Sequence, residues 1–406
     1  MSQSLRHSHP FRWFVLFGVW SIYATFGLIV SSLAPVAERL ESDLDMSHAA
    51  MGSVMGAWQL VFVAAAIPCG FLLDRIGSRW ALFLGAFCIG ASAYLRSCAG
   101  DYWELLLAVM LFGIGGPIVS AGAPKTIASW FDGPERGFAM GIYVTGPALG
   151  GVAALMLTNG WLMPIFGGDW RPVFRLWSYF AFGAGILWWC IASVPDIRRH
   201  AYAEEVQKTV PYRKVISLLI AEPAVRVVLL MSVGVFMVSH GMMNWLPALL
   251  MGHGMTATEA GYWAAIPTLV GVFSALLIPR LATPERRFLI LTGLCVALVI
   301  ATFLLHFESR FLLTMGMIFQ GVARATLMTV LVLTLVELPG IGHRNAGTAS
   351  GLFFSAAEFG GMLGPPTVGI LYDLNGGFGS GLVLFTCVAL SLVWGTARLR
   401  RMSERA

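Results

Sequence analysis

An arginine, Arg324, stands near the middle of the apolar run 310–336, with Gln320 one helical turn before it on the same face. A guanidinium keeps its charge and offers five N–H donors in a planar fork, the shape that grips an oxyanion. Glu358 lies at comparable depth in the run 345–371, where a carboxyl group could take up and release a proton. The two could instead neutralise each other in a permanent ion pair. His240 and Asn244, four residues apart in the run 223–248, share one face and could either contact a ligand or tie one helix to another. Tyr23 in 11–36 and Gln59 in 48–72 could line the same space, although such side chains also serve packing. Lys125, next to Pro124, either snorkels to an interface or turns inward and adds positive charge at the mouth of a cavity.

These groups must be placed by helices in lipid. The chain is 57% hydrophobic and only 12% charged over 406 residues, too few charges to solvate a globule of that size. Apolar runs at 11–36, 48–72, 79–96, 103–130, 137–158 and 173–193 are each near the length of a bilayer crossing, and so are 223–248, 258–279, 287–305, 310–336, 345–371 and 378–397. The expected fold is an all-α membrane protein with twelve transmembrane helices in two pseudo-symmetric six-helix bundles. No small-residue cleavage site follows the first run, so it is expected to stay as a span. Of the 26 Lys and Arg residues, nineteen fall at the termini or after even-numbered spans, and five (Arg39, Arg96, Arg171, Arg175, Arg310) on the other side. Basic residues mark cytoplasmic loops, which places the chain in the plasma (inner) membrane with both termini cytoplasmic.

The charged stretch 195–222 joins six spans to six, dividing the chain into bundles 1–194 and 223–406; its end, 214–220, could lie on the membrane as a short amphipathic helix. Gly141, Gly150 and Gly151 recur 210 residues later as Gly351, Gly360 and Gly361, which pairs span 5 with span 11 as copies of one unit. The six cysteines show neither a disulfide framework nor a metal spacing, and no cofactor motif is present. The sequence holds no G-x-x-x-x-G-K-[ST], H-E-x-x-H or G-x-S-x-G, so neither direct ATP use nor a hydrolytic or catalytic centre is indicated. The net charge of +5 is scattered over short loops without interleaved aromatics, unlike a nucleic-acid-binding surface.

One loop carries a specific pattern. Gly70-Phe-Leu-Leu-Asp74-Arg75-Ile-Gly77-Ser-Arg79 resembles the major facilitator signature G-x-x-x-D-R-x-G-x-R. Gly70 would allow close helix contact, Gly77 a tight turn, and Asp74 with Arg75 and Arg79 a cytoplasmic charge cluster. The resemblance implies that this cluster latches two halves on the cytoplasmic side. It also implies a central cavity lined by spans 1, 4, 7 and 10, hence Tyr23, Lys125, His240, Asn244, Gln320 and Arg324. Gly146-Pro147 with Gly150-Gly151 is similar to the motif in span 5 of proton-coupled drug antiporters, or else is plain helix packing. The run from Gly113 to Phe131 is similar to cyanate, organic-anion and haem or choline exporter relatives. Together these imply a monomeric secondary transporter that moves a small organic or inorganic anion by alternating access, with a proton as coupling ion. The alternative is a proton-coupled exporter of amphiphilic or cationic compounds, with Glu358 rather than Arg324 facing the cavity.

Overall fold

The computed structural model describes residues 11–195, 217, 219–338 and 342–403. Among them every regular element is helical. The main helices are α1 (Arg12–Ser31), α2 (Ala37–Asp43), α3 (His48–Cys98), α4 (Tyr102–Trp130), α5 (Gly133–Leu157) and α6 (Trp170–Ala192). They are followed by α7 (Pro223–Gly252), α8 (Ala257–Ala264), α9 (Ile266–Leu281), α10 (Arg287–Leu304), α11 (Arg310–Val336), α12 (Gly342–Asn375) and α13 (Gly379–Ser403).

Nine helical stretches among the described residues are long and apolar enough to cross a membrane. One of them, α3, runs 51 residues and turns at Gly77, where φ 75° and ψ 163° leave the helical region, so it supplies two crossings. That backbone is open to glycine and strained for other residues. The helices α6 and α12, with 23 and 34 residues, are also of spanning length, so the chain accommodates twelve crossings. The amphipathic helix expected over 214–220 falls largely outside the described residues.

Helix starts follow from local chemistry. Asp101 accepts from the Glu104 amide at 2.9 Å and opens α4, while Thr256 and Glu259 form a reciprocal capping box at the start of α8.

The chain groups into two compact units, Met1–Asp45 with Ala57–Gln207, and Met46–Gly56 with Lys208–Ala406. In the first unit, α1 packs on α4, α5 and α6. A Cβ added at Gly150 would collide with the Ala24 carbonyl, and one at Gly27 with the Pro147 carbonyl, so α1 and α5 meet backbone to backbone. In the second unit α7 meets α12 in the same way, with Gly360 on the Val233 carbonyl and Gly364 on the Met237 carbonyl. The helix α11 packs on α7, α9, α10 and α12.

The second unit also contains the first turns of α3. Asp373 of α12 accepts from the backbone amides of His48 at 3.2 Å and Ala49 at 2.9 Å, capping that helix from far along the chain. The His48 ring stacks on Tyr372 at 3.7 Å and on Trp245 at 5.4 Å. Gly52 and Gly56, four residues apart, let this segment lie against the carbonyls of Pro365 and Met362.

Candidate functional site

Polar groups gather where α7, α11 and α12 of the second unit meet. Arg324 is half-buried and donates from Nη2 to Thr268 Oγ1 of α9 at 3.4 Å, a long bond. None of the ion pairs among the described residues includes Arg324 or Glu358, so the permanent pair between them does not form. Gln320, one turn earlier on α11, is 2% exposed, and its Oε1 meets no donor. On α7, Asn244 donates from Nδ2 to the His240 carbonyl at 2.9 Å, which turns its amide donor onto its own helix. The His240 ring packs against Phe236 at 5.5 Å, and Arg324 is near enough to act on it electrostatically.

Glycine brings α12 into this group. A Cβ at Gly361 would stand 3.0 Å from His240 Cδ2 and 3.3 Å from Glu358 Oε2, so the ring and the carboxylate share the space that the glycine leaves open. That Glu358 oxygen is buried and has no hydrogen-bond partner. The structure thus gathers Gln320, Arg324, His240 and Glu358 along one run and adds Thr268 and Gly361. Sequence reasoning missed Thr268 because a threonine in an apolar run is ordinary. It took Gly361 for part of the repeat only.

Tyr23 belongs to the first unit. It stacks on Tyr143 with ring centroids 5.5 Å apart and leans on Phe26 at the same separation. Gln59 is fully buried nearby in sequence on α3, in the same unit.

The signature loop differs from expectation in its partners. Asp74 pairs with Lys125 of α4 at 2.7 Å, and no ion pair among the described residues joins it to Arg75 or Arg79. The turn at Gly77 carries Arg79 into the next helical segment, where it donates to Ser193 Oγ at 2.8 Å and lies 4.1 Å from the Trp189 ring. Arg75 is exposed. Lys125, expected at an interface or a cavity mouth, is held by Asp74. Nothing lies within 4 Å of a Cβ built on Gly70 or on Gly77, so Gly70 does not serve close helix contact, and Gly77 serves the turn alone. Gly146 would bring a Cβ to 3.1 Å from the Trp20 carbonyl, and Gly151 to 2.9 Å from Ser31 Oγ; with Pro147 and Gly150 they form the α1–α5 seam.

Arg96, counted from sequence with the outer loops, is instead 1% exposed. It donates from Nη1 to the Ile29 carbonyl at 2.9 Å and so satisfies the C-terminal end of α1.

A helical membrane chain with a glycine turn between its second and third crossings and a duplicated glycine seam invites comparison with known families. The model described as Major Facilitator Superfamily matches residues 16–365. The chain belongs to this superfamily. It is therefore a multi-pass membrane transporter and not an enzyme. Among relatives, it is 27% identical to the uncharacterized transporter YycB of Bacillus subtilis, over 93% of this chain and 90% of that one. It is 23% identical to the probable galactarate/D-glucarate transporter GudP of Bacillus subtilis, over 94% and 90%. Among solved structures, the nucleoside transporter NupG superposes with a TM-score of 0.79 at 11% identity over 96% of this chain and 99% of that one, a likeness of fold.

Proposed function

We propose that this protein is a secondary active transporter of a small anion, with Arg324 as the anchor for the anionic group. The carrying observation is Arg324 itself: a guanidinium near the middle of a membrane-spanning helix, with one long hydrogen bond and no paired carboxylate. An unbalanced charge at that depth is costly and is kept where something balances it. A transported anion supplies the counter-charge. The name of GudP, a probable galactarate/D-glucarate transporter, agrees with this reading.

Alternating access of two halves, 1–194 and 223–406 joined by 195–222, exposes the site to each side in turn. Glu358 carries a coupled proton, both termini face the cytoplasm, and the chain works as a monomer in the bilayer. Purified protein in proteoliposomes tests the anchor: Arg324→Ala and Arg324→Lys should both lose anion counterflow, because lysine keeps charge but not the planar fork. Full transport by the alanine variant excludes Arg324. The unpartnered Glu358 oxygen favours a second reading, export of a cation, which would show as cation transport that survives Arg324→Ala and is lost in Glu358→Ala.

A further inference from the structure

The second unit leaves two acceptor oxygens stranded beside its uncompensated cation. Gln320 is 2% and Glu358 9% exposed, and neither Gln320 Oε1 nor Glu358 Oε2 meets a donor. A buried acceptor without a donor loses its hydration and gains nothing in return. Both oxygens belong to the run that holds Arg324. Gln320 precedes it by one turn of α11, and Glu358 Oε2 and the His240 ring both border Gly361, the ring within the electrostatic reach of Arg324. A Cβ at Gly361 would crowd both groups, at 3.0 Å from His240 Cδ2 and 3.3 Å from Glu358 Oε2, so only glycine leaves ring and carboxylate where they are.

A ligand matched to this run must bring one negative group and, at some distance from it along its skeleton, hydrogens to give. Nitrate and plain carboxylates only accept, so they would satisfy Arg324 and leave both oxygens stranded. A neutral polyol donates but leaves the guanidinium unbalanced. Resting on the anion reading above, we propose that the ligand is a hydroxylated carboxylate, its carboxylate on Arg324 and its hydroxyls donating to Gln320 Oε1 and Glu358 Oε2. Sites built around a hydroxyl reject the analogue that lacks it far more strongly than apolar pockets reject a missing methylene, because the polar groups of the site then go unpaired.

Binding to the full-length protein in lipid nanodiscs tests this, with matched pairs as probes: lactate with propionate, gluconate with hexanoate, galactarate with adipate, and nitrate and sorbitol as single-feature controls. The hydroxylated member of at least one pair should bind on the order of 10,000-fold more tightly than its partner, with nitrate and sorbitol weaker still. Gln320→Leu should bring the hydroxylated acid towards its deoxy partner and leave the latter unchanged. The panel on the unaltered protein decides the matter even if that variant fails to fold. Equal affinity within every pair, with all anions weakened by Arg324→Ala, overturns the hydroxyl assignment, since water must then serve the two oxygens, and leaves the anion reading standing. No anion binding at all, or binding indifferent to Arg324→Ala, overturns the anion reading itself.

Discussion

The helix pair α1 and α5 in the first unit and the pair α7 and α12 in the second are built on one plan and carry different chemistry. Gly150 lies on the Ala24 carbonyl and Gly360 on the Val233 carbonyl, so both seams close through bare backbone at corresponding places. The next glycine of each pair shows the divergence. Gly151 faces Ser31 Oγ, whereas Gly361 faces the His240 ring and the Glu358 carboxylate. Two residues before the seam glycine, Ala148 in one copy corresponds to Glu358 in the other. Duplication fixed the scaffold, because a glycine seam tolerates no side chain. Positions beside it were free to change, and among the described residues the second pair sets His240 and Glu358 beside its glycine where the first sets Ser31.

The largest effect should come from the shared seam. Gly150→Leu and Gly360→Leu each force a side chain into a carbonyl, at a cost above the roughly 1–3 kcal/mol usual for overpacking, and both should prevent recovery of monodisperse protein on size exclusion. Gly141→Leu and Gly351→Leu, where nothing lies within 4 Å, should be recovered at the parental yield. If the second-unit seam accepts leucine, the two pairs do not share one plan.

The polar divergence comes next. His240→Ser with Glu358→Ala turns the second pair towards the first and should abolish transport while leaving a folded protein, whereas Ser31→Ala with Ala148→Ser should leave transport near the parental rate. Glu358→Gln separates roles within that divergence: it should remove accumulation driven by an imposed pH gradient and keep counterflow exchange, measured in the same proteoliposomes. Accumulation at the parental level would remove Glu358 from proton coupling.

Smaller changes are expected at the ion-capped ends. Asp373→Ala strips the cap from the first turn of α3 and should lower thermal stability by about 1 kcal/mol. Asp74→Asn removes an exposed pair with Lys125, worth at most ~1 kcal/mol. Lys125→Met should match it, and the double variant should be no worse than either alone; additive losses would show that the two side chains act separately.

Hydropathy alone determined that this chain lives in a membrane and where its helices run, because burying backbone polar groups in lipid admits little besides helices. The glycine at 77 was legible as a turn, the offset of Gly141, Gly150 and Gly151 as a repeat, and Arg324 with Glu358 as groups too deep for chance. Which groups meet was not legible. Asp74 with Lys125, Arg96 with the end of α1, Arg324 with Thr268, and the separation of Arg324 from Glu358 all depend on how far each helix is rotated about its axis and slid along its neighbour. The pattern of a single helix gives its faces, but the partner of each face is set by close packing among several helices at once. For this protein the glycines that admit backbone contact decided it.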